Sequence, residues 1–242
     1  MSDRLMRATH GQYPVTAVTP ISFFRDQVLL FFPLLVRSLK LKAQFPILLR
    51  VENEQELAMQ LWADDLDLGL LKMEGVSRDR LARRMLDLFL LAANSGKAIS
   101  EIPTILRQGF AENGNGDTKD FNDPYEYMGK ALSDWQQFCW QNGLLTYGII
   151  TELFGRYLLP NPYYQAKLCQ RFRYLIADDV DEYPAIARHL CEISIASKAK
   201  AVFAPFAVNE KSPEFGTSVH PFGRLKVAFP LIVLGELFRT VI

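Results

Sequence analysis

The chain has 242 residues, 49% of them hydrophobic and 22% charged, with 27 basic side chains balanced by 27 acidic ones. A chain of this length and composition buries a proper core, which excludes extended disorder; zero net charge excludes a chain-wide positive field, so any nucleic-acid contact must be local. Cys139, Cys169 and Cys191 lack CxxC spacing and His10, His189 and His220 lie far apart, so neither a disulfide framework nor a zinc site is indicated and a reducing cytoplasm fits best.

In chain order, Met1–Tyr13 lacks the apolar stretch of a secretion signal. Tyr13–Thr19 is β-branched and ends at Pro20, which predicts a short buried strand and a turn. Ser22 is positioned to cap a helix to about Lys40, with Phe24, Val28, Phe31 and Leu35 on one stripe and a kink or division at Pro33. Pro46–Val51 reads as a second strand and Glu52–Leu66 as a helix whose apolar stripe, Leu57 and Leu61, gives way to solvent at Asp65. Between Ser77 and Ala93 the spacing of Leu81, Met85, Leu88 and Phe89 predicts a helix that Asn94-Ser95-Gly96 ends.

A shorter helix, Glu101–Phe110, leads into the loop-like Glu112–Asp117. Helices then follow from Pro124 to Asn142-Gly143, from Leu144 to Leu159 with Ile150, Leu153, Phe154, Tyr157 and Leu158 on one face, and from Tyr163 to Phe172. The apolar runs Val28–Val36 and Val227–Leu234 fall well short of the roughly 20 residues of a membrane span and read as buried strand or core helix. Arg78, Arg80, Arg83 and Arg84 alternate with Asp79 and Asp87, the pattern of a solvated helix face. Trp135, Trp140, Tyr125 and Tyr127 at helical spacing read as core rather than as base-stacking surfaces.

Arg173-Tyr174-Leu175-Ile176-Ala177-Asp178-Asp179 is an apolar run that ends in two acids, and Pro184 opens a helix five residues later. In a parallel α/β sheet, ligands gather at the carboxyl ends of the strands, so such a strand delivers carboxylates suited to Mg²⁺. The same acids also suit the positive end of the following helix dipole, and Asp181 and Glu182 need do no more than that.

The order of elements from Asn142 to Glu182 resembles the UvrD and Rep type of superfamily-one DNA helicase. Asn142-Gly143-Leu144-Leu145-Thr146-Tyr147-Gly148-Ile149, Glu152-Leu153, Leu158-Leu159-Pro160-Asn161-Pro162, Arg171-Phe172-Arg173-Tyr174 and Leu175-Ile176-Ala177-Asp178-Asp179-Val180-Asp181-Glu182 follow that family's helix, proline break, short helix and Walker B strand. Upstream, Thr16-Ala17-Val18-Thr19 is similar to the strand and turn that touches single-stranded DNA, and Phe45–Leu49 with Glu54–Leu57 to the entry of the helical insert. The resemblance implies a helix-rich α/β chain: a partial P-loop NTPase-like core at 1–51, a helical insert at 52–160, a return to the core with the Walker B strand at 161–204, and a divergent tail at 205–242.

It further implies Asp178 as Mg²⁺ ligand, Asp179 in place of the glutamate that orients the attacking water, Asp181 in place of the nucleotide-sensing glutamine, and Thr16 and Thr19 as DNA contacts. Mg²⁺ and ATP are the implied cofactors and single-stranded or duplex DNA the implied partner, in repair or recombination, with no membrane. Aspartate is one methylene shorter than glutamate, and a misplacement of about 1 Å costs on the order of a hundredfold in rate.

No Gly-x-x-x-x-Gly-Lys-Ser/Thr occurs; Ser95-Gly96-Lys97-Ala98 and Met128-Gly129-Lys130-Ala131 lack both the hydroxyl and the upstream glycine. In the helicases that loop precedes the Thr16–Thr19 segment. Lys200–Ala204 stands for the next core strand, but Pro205-Phe206-Ala207-Val208-Asn209 replaces the Gly-Asp-x-x-Gln that should follow. The expectation is a truncated or frame-shifted helicase product unable to hydrolyse ATP alone, with a non-catalytic α/β interaction protein as the alternative.

Overall fold

The computed structural model describes residues 16–43, 45–111, 123–172, 174–178, 180, 183–196, 200–204 and 235–236. It is helix-rich, with three two-stranded sheets among the described residues, two of them parallel and one antiparallel, in keeping with the helix-rich α/β expectation. The chain divides into two compact units, Met1–Phe23 with Asn161–Ile242, and Phe24–Pro160. The second takes in residues ahead of Glu52 as well as the segment read as the insert.

Thr16–Ala17 forms β1, and Thr19 starts helix α1 (Pro20–Leu30). The Thr19 hydroxyl accepts from the Ser22 N–H at 3.3 Å and its carbonyl from the Phe23 N–H at 3.0 Å. Thr19 is therefore the N-cap and Pro20, whose φ is preset and whose missing N–H costs nothing there, the first helical residue. This corrects the sequence expectation, which put the cap at Ser22. Pro33 divides the helix rather than kinking it: Phe31 leaves helical geometry and α2 (Phe32–Leu39) begins with the proline in its first turn.

In the unit Phe24–Pro160, the strand expected over Pro46–Val51 contracts to β2 (Ile47–Leu48), because Val51 already opens α3 (Val51–Leu61). Trp62 interrupts that helix before α4 (Ala63–Asp67). The face α3 buries is Glu54, Ala58 and Trp62, not the Leu57 and Leu61 stripe expected from hydrophobicity; Leu61 is exposed. Spacing of four residues puts those three side chains on one line, and Glu54 can join it because a hydroxyl bonds its carboxyl group.

Helix α5 (Arg78–Asn94) buries Leu81, Met85 and Phe89, as its periodicity predicts, and carries the Arg83–Asp87 pair on its solvent side. A short 3₁₀ turn (Ile99–Glu101) leads into α6 (Ile102–Ala111), and α7 (Pro124–Asn142) follows. Asp123 caps α7 by accepting from the Tyr125 N–H at 2.9 Å, and Arg107 of α6 pairs with both Asp123 and Glu126. The two chance Gly-Lys pairs have structural roles: Gly96, with φ of 72°, ends α5, and Gly129 lets α7 approach Pro103, where a Cβ would come within 2.4 Å of the proline ring.

Leu144 does not continue a helix, as its sequence context suggested, but forms β3 (Leu144–Leu145), parallel to β2 in the register Ile47↔Leu144. Gly143, left-handed at φ 68°, turns the chain out of α7 and accepts the Ile47 N–H at 2.7 Å. Thr146 then caps α8 (Tyr147–Glu152), which runs on as a π-helical segment, Leu153–Leu158; the Leu159 N–H reaches the Phe154 carbonyl five residues back, at 2.7 Å. Phe154 stacks on Phe24 at 4.3 Å, and the Trp62 indole N–H donates to the Ala131 carbonyl at 2.9 Å.

In the other unit, Asn161 caps α9 (Pro162–Arg171) through the N–H groups of Tyr163 and Tyr164. Strand β4 (Tyr174–Asp178), helix α10 (Ala185–Ala196) and strand β5 (Lys200–Ala204) make a β-α-β unit, the strands pairing in parallel from Tyr174↔Lys200 to Asp178↔Ala204. The Pro184 carbonyl accepts from Ala187 and Arg188 at the start of α10, whose buried side is Ile186, Ala187, Leu190, Cys191 and Ser194. Gly235–Glu236 (β6) pairs antiparallel with β1. No helix among the described residues is long and apolar enough to cross a membrane; the Val28–Val36 run lies in α1 and α2 with Val28, Phe32 and Leu35 buried. Val227–Leu234 lies outside the described residues.

Candidate functional site

The apolar run Tyr174–Ala177 pairs over its full length with β5, so both strands present their carboxyl ends at one edge of the sheet. Asp178 is the last residue of β4, opposite Ala204, the last of β5. Ala177 just before it is fully buried. Ligands of parallel sheets collect at such an edge. Asp179, Asp181, Glu182 and the segment after Ala204 lie outside the described residues, so the expected acid cluster is represented by Asp178 alone. Thr16 stands in β1 opposite Glu236, and Thr19 spends its hydroxyl on capping α1.

For magnesium and ATP, the residue that ends β4 is an aspartate, the residue type whose carboxylate Mg²⁺ takes. The two Gly-Lys pairs are a helix end and a helix–helix contact and form no phosphate loop. Among the described residues no group of three or more His, Cys, Asp or Glu is arranged to hold a metal ion. Among the described residues Asp178 is the one carboxylate-bearing residue at this edge, and no nucleotide site is assembled there. No family model matches the chain, and neither a curated protein nor a solved structure matches it.

The unit Phe24–Pro160 holds polar groups that sequence reasoning missed. Glu54 is buried and hydrogen-bonded to the Thr146 side chain, with Arg83 and Asp87 nearby; burial raises its pKa above the ordinary carboxylate value. Thr146 meanwhile accepts the Ile149 N–H at 3.3 Å, so one hydroxyl caps α8 and serves Glu54. Glu152 is 2% exposed; its Oε1 accepts from Gln136 Nε2 at 2.5 Å, while Oε2 has no hydrogen-bond partner among the described residues. Burial raises the Glu152 pKa too, against the opposing pull of the Gln136 hydrogen bond and the Arg156 charge. The signal was legible: an acid inside Ile149-Ile150-Thr151-Glu152-Leu153-Phe154 interrupts an otherwise apolar face.

Between the two acids Cys139 is fully buried, and burial with both neighbouring carboxyl groups pushes its thiol up. A buried thiol held protonated in this way is a poor nucleophile. Glu152 facing Gln136, Cys139, Arg156 and Tyr157 yields a pH test. A carboxyl whose folded pKa is raised contributes stability that is complete below its ordinary value of 4.5 and is lost as pH rises through the folded pKa. Glu152→Gln is therefore expected to flatten the fall in stability above pH 4.5 and to leave the variant more stable than the parent at pH 8, by urea unfolding. A parent and variant with parallel pH profiles would show that Glu152 is ionised in the fold.

Proposed function

We propose that this chain corresponds to an internal part of a UvrD/Rep-like DNA motor, a helicase or recombinase of repair or recombination, and that it does not hydrolyse ATP by itself. The observation that carries the reading is the β4–α10–β5 unit, in which Asp178 ends a strand lying parallel to its neighbour. Asp178 is the proposed Mg²⁺ ligand of the complete motor. Asp179 and Asp181 are the proposed replacements for the water-orienting glutamate and the nucleotide-sensing glutamine, and Thr16 is a proposed DNA contact. All three cysteines are free, which supports a reducing, cytoplasmic location.

The coding DNA tests this. A phosphate-loop sequence is expected in frame ahead of Met1, and a Gly-Asp-x-x-Gln sequence in another frame near the Ala204 codon; finding neither overturns the reading. The purified chain is expected to show no DNA-stimulated ATP hydrolysis above a blank, and robust turnover would contradict the account.

A second reading, a non-catalytic interaction protein, is favoured by one feature of the unit Phe24–Pro160. Around β2, Phe45 is 82% exposed, Ile47 55% and Leu48 50%, a run of large apolar side chains of the kind that marks protein contacts.

A further inference from the structure

From Gln27 to Val51 the sequence carries Arg37, Lys40, Lys42 and Arg50 and no acid, and all four cations are exposed. The same stretch holds five of the eleven large hydrophobic side chains that stand exposed among the described residues: Leu30, Phe45, Ile47, Leu48 and Val51, with Phe45 the most exposed of the eleven. The Phe45 backbone is nonetheless held in place, its carbonyl oxygen packing on Gly143 where that residue lacks a Cβ. Strand β2 exposes both of its side chains, whereas its neighbour β3 buries Leu145. The Ile47 and Leu49 N–H groups point at β3, where the Gly143 and Leu145 carbonyls accept them. Alternation along a strand therefore turns the Leu48 N–H and C=O to the other edge, where β2 has no neighbour in its two-stranded sheet.

We propose that the free edge of β2 takes an extended acidic segment of a partner protein as a third strand, its backbone pairing with Leu48, its apolar side chains lying against the Phe45, Ile47 and Leu48 run, and its carboxylates drawn to Lys42 and Arg50. An unpaired strand edge calls for a polypeptide, since neither a lipid nor a nucleic acid brings a row of backbone N–H and C=O groups. Charge then selects among polypeptides: a second copy of this stretch would set Lys40, Lys42 and Arg50 against the same three cations, whereas an acidic strand is attracted to them. The cations that guard the edge against self-pairing thus admit one kind of partner. The proposal rests on the reading of the chain as an interaction protein and adds to it the edge that binds and the chemistry that is bound.

The probe is a fluorescein-labelled peptide of alternating glutamate and valine, titrated with the full chain at about 50 mM salt and followed by anisotropy. Saturable binding is expected. The same peptide methylated on every backbone nitrogen is expected to bind about 10- to 30-fold more weakly, through the loss of two ladder hydrogen bonds. Lys42→Glu with Arg50→Glu is expected to weaken the glutamate peptide about 10-fold and to strengthen a lysine and valine peptide, while Lys130→Glu, on the exposed side of α7, changes neither. Equal affinity for the methylated peptide, or binding untouched by the charge reversal, would overturn the strand edge as the site. Absence of binding up to about 1 mM would overturn it as well. Uptake onto phosphatidylserine vesicles, or self-association of the chain, that Phe45→Ala abolishes while no peptide binds would assign the run to a lipid surface or a second copy and overturn the proposal. Maleimide labelling of Phe45→Cys separates the two levels. Rapid labelling without peptide binding sinks the acidic strand alone, whereas no labelling beyond the parent's shows the run to be covered and removes the interaction reading with it.

Discussion

Replacing Trp135 with alanine is expected to destabilise the unit Phe24–Pro160 by about 3 kcal/mol, the lower end of the range for a large aromatic in a core. Trp135 is fully buried, its ring set edge-on to Trp62 at 6.3 Å and beside Phe138 at 5.9 Å. Truncation removes those contacts and leaves a cavity in their place. The lower end applies because the Trp135 indole N–H is buried with no hydrogen-bond partner among the described residues, and the alanine variant sheds that burden. Trp135→Phe isolates the second effect by keeping most of the ring and dropping the donor, and its cost is expected to stay below about 1 kcal/mol. Urea unfolding midpoints with an unchanged slope measure both. A phenylalanine variant as unstable as the alanine one would mean that the indole N–H does have a partner.

Gly143→Ala is the other large expected effect, again about 3 kcal/mol. Two causes add: a left-handed residue at φ 68° with a side chain costs about 1–2 kcal/mol, and overpacking a site without slack costs about 1–3 kcal/mol. A Cβ there would stand 2.6 Å from the Phe45 carbonyl oxygen and 2.8 Å from the Ala43 side chain. The oxygen belongs to backbone next to β2 and cannot rotate away. Gly69→Ala is the control: its φ is also positive, at 72°, but nothing lies within 4 Å of the added methyl, so only the conformational part of the cost should appear. Equal losses in the two variants would remove the steric part of the argument.

Where hydrophobic periodicity was strong and the ends carried turn residues, the sequence described its own fold. Ser77, which holds the N-cap position without a side-chain hydrogen bond, and Asn94-Ser95-Gly96 bracket α5, Pro124 and Gly143 bracket α7, and Asn161-Pro162 opens α9, since helix ends and left-handed turns depend on local backbone preferences that need no tertiary context. Reading failed where tertiary partners decide. Glu54 belongs to a buried face only because Thr146, far along the chain, bonds it; Leu144–Leu145 is strand only because Ile47 and Leu49 pair with it. The π-helical stretch after Glu152 left the predicted apolar face nearly intact, burying Ile150, Leu153, Phe154 and Leu158, since one extra residue per turn shifts a stripe without dispersing it. Of the candidate site, the strand and its terminal Asp178 were legible in the apolar run before the acids. The roles assigned to Asp178 and its neighbours came from the resemblance and not from the run itself.

The Thr146 hydroxyl has a consequence for how this unit comes apart. It starts one helix through the Ile149 N–H and satisfies an acid on another that precedes it by 92 positions. If α3 swings away, α8 keeps its cap but Thr146 loses its buried neighbour; if the first turn of α8 frays, Glu54 is left in the interior with its hydroxyl partner displaced. Opening either helix alone therefore disturbs a polar contact, which links α3 to α8 across the 92 positions between Glu54 and Thr146.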